Sequence, residues 1–270
     1  MKKLLLSILA VAAIVSCSKS YIEFEQPDKI TLTPVTHNIT KSMIAGDEDG
    51  KNISFPTTAE FNVWAFYNPT TPVSNDINTW VNQYYTATGA DEYIKDKTFN
   101  YHDDYSLWAG KEAEYYWPKV GSLAFAGYHP TSVPAAYSLQ PAGEGTEATN
   151  VLTFTDYTPG FVDAAETYNE DLMYFNLTPA FTKNNVNVIF KHALSWLTVN
   201  VAKSATTPAG ATITVSSVKF TNVYPTGDGK VENQATITWT PEGTPAPVEV
   251  ITSTGLELST SATTLKEPLF

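Results

Sequence analysis

Arginine is absent from all 270 residues, so every one of the 16 basic residues is a lysine. Against them stand 28 Asp and Glu, giving a formal net charge of −12 at pH 7. Binding a phosphate backbone requires a basic face, so this balance excludes nucleic acid as a partner. Cysteine is nearly as scarce, with Cys17 alone, and a lone thiol closes no disulfide within the chain. The four histidines, at 37, 102, 129 and 192, lack the spacing of metal ligands. No stretch after Cys17 approaches 18 consecutive apolar residues, which leaves the chain beyond it without a candidate spanning helix. A long apolar stripe at helical period and a short sequence repeat are missing too, which argues against bundles, solenoids and propellers.

The amino terminus carries an export signal. Lys2 and Lys3 precede an apolar run from Leu4 to Val15, too short to span a membrane and suited to a signal peptide over residues 1–16. Ile14-Val15-Ser16-Cys17 resembles a bacterial lipobox, in which cleavage before an acylated cysteine makes that cysteine the first residue. Cys17 is thus the expected lipidation site, palmitate included. Each buried methylene of such an anchor contributes roughly 0.8 kcal/mol, enough for several chains to hold a globular domain at the outer membrane without a span.

The remainder reads as strands. In "EFNVWAFY" (60–67) Phe61, Val63 and Ala65 alternate with Trp64 and Phe66, so both faces are expected to be covered. "AEYYWP" (113–118), "SLAFAGYHP" (122–130) and "NVLTFTDY" (150–157) share the aromatic, β-favouring composition between Gly, Pro and Asn. Across 185–203, Val186, Val188 and Phe190 alternate and the phase shifts after His192, which predicts a bulge or corner near 193–196. "ATITVSSVKFTNV" (211–223), "NQATITW" (233–239) and "PVEVITS" (247–253) continue the pattern, while "YPTGDGK" and "TPEGTPAP" read as turns. Residues 74–89 can hold a short helix capped by Asn75 or Asp76. The class is all-β, with a seam expected near 178–185.

Five pieces taken together, namely the lipobox, "FNVWAFY" (61–67), "YYWPKVGSLAFAGYHP" (115–130), "EDLMYFN" (170–176) and "VIFKHALSWLTVNV" (188–201), resemble the fimbrillin-like lipoproteins, subunits of type V pili. The resemblance implies two transthyretin-like β-sandwiches in tandem, 42–180 and 181–270, the second incomplete at "LKEPLF". It also implies a lipidated leader, 17–41, whose strand is removed by a protease so that a strand of a neighbouring subunit can take its place. Ile22 and Phe24, or Ile30 and Leu32, are the leader's alternating apolar pairs. Without arginine, the cut is expected after Lys41, with Lys51 as runner-up; cutting after Lys29 would leave Ile30 and Leu32 attached. The partners so implied are other fimbrial subunits, the outer membrane before processing, and a host or bacterial surface receptor.

Chemistry is sparse. Asp103 and Asp104 in "YHDDY" read as a solvated loop, and "GDEDGKN" (46–52) departs from a calcium loop at Lys51. Glu166, Glu170 and Asp171 could pair as glycosidase carboxylates, but the chain is acidic throughout, so no catalytic residue is assigned. His192 is expected to make a buried hydrogen bond near the bulge. Trp64, Tyr115, Tyr116 and Trp117 read as core; as an exposed sugar platform they would instead mark a lipid-anchored glycan-binding protein. No metal or cofactor is implied.

Overall fold

The computed structural model describes residues 28–37, 52–70, 76–87, 89–140, 149–159, 171–180, 183, 185–195, 199–249 and 255–265. In chain order these form β1 (Leu32–His37), β2 (Asn52–Ser54), β3 (Phe61–Asn68), α1 (Ile77–Thr86), β4 (Asp91–His102), β5 (Leu107–Gly110) and β6 (Ser122–His129). Next come β7 (Ala135–Gln140), β8 (Thr149–Tyr157), β9 (Met173–Ala180), β10 (Val186–His192), β11 (Asn200–Val201), β12 (Thr214–Val215) and β13 (Lys219–Val223). The chain continues through β14 (Thr226–Glu232), β15 (Thr238–Glu242), β16 (Ala246–Glu249), β17 (Leu256–Glu257) and β18 (Thr263–Thr264).

Seven strands in the order β10-β9-β6-β3-β4-β5-β1 form one sheet, and β1 closes it by pairing with β10 as well. Among the described residues, strand β2 attaches to β1 alone. Every pairing in this barrel is antiparallel except β1 with β10, which is parallel over Leu32↔Val186 to Thr36↔Phe190. The alternation in β3 sorts its side chains as the sequence requires. Phe61, Val63 and Ala65 join Phe99, Phe125, Phe175 and Phe190 in one core, while Trp64 and Phe66 join Tyr128, Leu152, Phe154 and Tyr174 in another. That second core lies between the barrel and a four-stranded sheet, β15-β14-β8-β7, and takes in α1 through Trp80 and Val81. Asp76 caps the helix, its carboxylate accepting from Thr79 N–H at 2.8 Å.

The all-β reading holds, with one helix among the described residues, but the arrangement differs from the expected sandwich: the first sheet is closed on itself because β1 reaches both its edges. Strand pairing also crosses the expected seam at 178–185, since β10 pairs with β1 and β14 pairs with β8. "AEYYWP" contributes a single bridge, Lys29↔Tyr116, in place of a strand. The opposite occurs at "YPTGDGK", where turn chemistry was expected and β14 begins at Thr226 to run between β8 and β15. Its glycines serve packing: a Cβ on Gly229 would stand 2.9 Å from Ile237 Cδ1 and 3.0 Å from the Trp239 ring. Gly229→Ala is accordingly expected to destabilise the chain by about 1–3 kcal/mol, read from the denaturant midpoint of the purified protein. Three further two-stranded pairs, β11–β18, β12–β17 and β13–β16, accompany a small cluster around Leu265, Val201 and Phe220.

Candidate strand-exchange site

The leader expected to carry a removable strand supplies β1. Ile30 and Leu32 are fully buried in the barrel core, and Pro34 and Thr36 are buried after them, so every second residue points inward. The backbone serves both neighbours. Val186 N–H donates to Thr31 C=O at 3.0 Å on the β10 side, and Phe55 N–H donates to Pro34 C=O at 3.3 Å on the other. The N–H that proline lacks therefore falls where β1 changes partner, from Trp108 of β5 to Ser54 of β2, and no ladder is interrupted. Of the two apolar pairs expected, Ile30 and Leu32 fill the core; Ile22 and Phe24 lie outside the described residues.

The start of this segment is clamped. Trp117 N–H donates to Asp28 C=O and Ile30 N–H to Tyr115 C=O, both at 2.8 Å. Lys29 Nζ reaches Glu114 at 2.5 Å and lies 4.9 Å from the Tyr105 ring centroid, and the Tyr116 hydroxyl donates to the same Glu114 carboxylate. The hydrogen bond to Glu114 raises the Lys29 pKa, and the bonds from Lys29 and Tyr116 lower that of Glu114. The pairing thus stabilises the closed form between the ordinary carboxylate and lysine ranges; it fades as pH falls through the Glu114 value or rises through that of Lys29. The same contacts shelter the Lys29–Ile30 peptide from a protease, because its N–H is already engaged. Sequence reasoning missed Glu114 and Tyr105, and contacts 76 to 85 residues apart leave no local signal.

Other singled-out residues take structural places. Lys41, Lys51, Cys17, Glu166 and Glu170 lie outside the described residues. Asp171 is buried, and its carboxylate stands 2.7 Å from His192 Nδ1 where β10 ends, the hydrogen bond expected of that histidine. His129 Nδ1 lies 2.6 Å from Glu60 C=O, and His102 stacks on Tyr105 at 5.1 Å. Asp103 and Asp104 are exposed in a turn. Trp64 and Trp117 are buried in the two cores and Tyr115 and Tyr116 are half-buried, so the four do not share one open face.

One carboxylate group escaped the sequence reading. Asp156, Asp228 and Glu242, from β8, β14 and β15, place oxygens within 4.8 Å of one another, and Asp156 N–H donates to Asp228 at 2.9 Å. The negative charge of Asp228, above all, raises the Glu242 pKa, aided by some burial and by Asp156. A carboxyl whose pKa rises on folding stabilises the fold below its ordinary value of 4.5, and that stability is lost as pH rises through the folded value. Glu242→Gln is therefore expected to melt at a higher temperature than the wild type at pH 7, with the difference disappearing in melts below about pH 4.

The chain matches the profile of the family described as Fimbrillin-like over residues 57–265. It belongs to that family. Membership gives this fimbrillin-like chain a structural role in fimbriae at the cell surface rather than an enzymatic one. No curated protein sequence matches it. Similar solved structures include two of candidate cell adhesion proteins. One, from Bacteroides uniformis, is 13% identical at a TM-score of 0.45 and covers 90% of this chain and 75% of its own; the other, from Bacteroides ovatus, is 11% identical at 0.44 and covers 89% and 78%.

Proposed function

We propose that this fimbrillin-like protein is a structural subunit, shaft or tip, of a bacterial surface fimbria, exported as a lipoprotein precursor acylated at Cys17 and polymerised by strand exchange once residues 17–41 are cut away. The observation that carries the reading is the position of β1: a strand from the expected leader closes the barrel by joining β10 to β5 and β2. Removing it uncovers a row of backbone donors and acceptors along β10 and withdraws Ile30 and Leu32 from the core. Burial of those two side chains is worth roughly 3–6 kcal/mol, a large part of the usual stability of a domain. An extended segment of another subunit, adding as a strand, restores both.

The lysine-only sequence supports a cut by a protease of lysine or broader basic specificity, after Lys41 or secondarily after Lys51; both cuts leave β1 on the discarded side. The test is electrophoresis of purified full-length chain before and after brief treatment with such a protease. Cut protein should form a ladder of SDS-resistant, heat-sensitive oligomers and uncut protein should remain monomeric. Oligomers that form equally without cutting, or cut protein that stays monomeric, would sink the reading. Lipidation has its own check, since Cys17→Ser should lose labelling by a radioactive fatty acid.

A further inference from the structure

On the reading of β1 as the exchanged strand, we propose that cutting does not empty the groove: the severed leader stays seated, and the incoming strand displaces it from the Thr36 end toward Asp28. The two ends of the segment are held unequally. At its start Asp28 and Ile30 bond the 115–117 backbone, Lys29 is paired with Glu114 beside Tyr105, and Ile30 and Leu32 are fully buried. The 114–117 stretch is itself braced, with Tyr93 O–H donating to Tyr116 C=O at 2.7 Å and Tyr115 stacked on Phe99 at 6.1 Å. At the other end one flank is β2, a strand of three residues that ladders with β1 over Val35↔Ser54 to His37↔Asn52, is extended by the 3.3 Å bond from Phe55 N–H to Pro34 C=O, and has β1 as its strand partner among the described residues. The covalent link from β1 to β2 is residues 38–51, the stretch that contains Lys41 and Lys51. Cutting it therefore leaves the clamp at Asp28 to Leu32 intact and frees the end whose flank depends on β1.

Opening from that free end exposes the β10 backbone around Ile189 and Phe190 first, because these pair with Val35 and Thr36. Ile189 is 40% exposed, so a newcomer reaches this end of β10 from solvent. Each residue it gains on β10 is one the leader loses, and the buried pair Ile30 and Leu32 leaves last. The partner that fits is an extended segment with alternate apolar side chains, two of them large enough to refill the places of Leu32 and Ile30. Cutting licenses assembly without exposing an empty apolar groove.

The experiment uses full-length chain cut by a lysine-specific protease, gel filtration, and hydrogen exchange read by mass spectrometry. The fragment containing residues 28–37 should co-elute with the body, and exchange should quicken at Val35 and Thr36 and at Ile189 and Phe190 while 115–117 stays protected. Adding a heavy-isotope peptide of residues 28–41 should replace the resident fragment, up to about fivefold faster in Glu114→Gln, the range of an exposed ion pair. Glu92→Gln, which removes the separate ion pair with Lys95, should leave the rate unchanged. A fragment that separates from the body on its own, or exchange that quickens first at 115–117, overturns the proposal. Spontaneous loss followed by oligomerisation would leave strand exchange standing and remove only seated retention. A seated, replaceable fragment with no oligomers would do the reverse.

Discussion

Replacing Phe190 by alanine should lower the unfolding free energy by about 3–5 kcal/mol, the range for deleting a buried aromatic ring. Phe190 is fully buried on β10, the strand that β1 pairs with to close the barrel. Its ring centroid lies 4.8 Å from Phe55, 5.0 Å from Phe175 and 5.3 Å from Phe61, two of them edge-on, so its loss removes several contacts at once. Phe61 and Phe175 sit on β3 and β9 and Phe55 directly follows β2, so the three cannot close the gap without moving the sheet. The next residue gives the control: Ile189 points to the other face and is 40% exposed, so Ile189→Ala should change stability by less than about 1 kcal/mol. Denaturant melts of both proteins read the difference. Equal effects would mean that the inner and outer faces of β10 are wrongly assigned.

The second large effect is on assembly. With Lys41→Ala the runner-up Lys51 remains, so polymer should still form, its subunits beginning at Asn52. With Lys41 and Lys51 both changed to alanine, no lysine lies between β1 and Lys95. The one upstream candidate in the described residues, Lys29, is engaged by Glu114 and precedes a peptide N–H bonded to Tyr115, and cutting there would keep Ile30 and Leu32 on the body. The double variant should therefore yield essentially no surface polymer while accumulating full-length precursor. Immunoblots of sheared surface material measure this. Polymer at the wild-type level from the double variant would remove basic-residue cleavage from the account.

Much of the fold was legible because the strongest strands carry their own periodicity. The double alternation of β3 announced a strand covered on both faces, and β6 and β8 fell where aromatic runs stood between Gly and Pro. Strand β14 was hidden because Gly227 and Gly229 resemble turn residues, whereas Gly229 admits Ile237 and Trp239 and a Cβ on Gly227 would stand 3.1 Å from Thr240 C=O. Barrel closure could not be read either: the β1–β10 ladder joins residues about 150 positions apart, and nothing in "LTPVTH" names its partner. At the candidate site, Ile30 and Leu32 were readable as an alternating apolar pair. Their clamp was not, because Lys29, Glu114 and Tyr105 meet only through the closed sheet.

The central claim is that β1 belongs to a leader the assembled subunit has lost. Intact-mass and amino-terminal analysis of subunits recovered from surface polymer tests it most directly. The account predicts chains beginning at Ser42, or secondarily at Asn52, with no peptide spanning residues 28–37; subunits in polymer that still begin at Cys17 and retain β1 would contradict it.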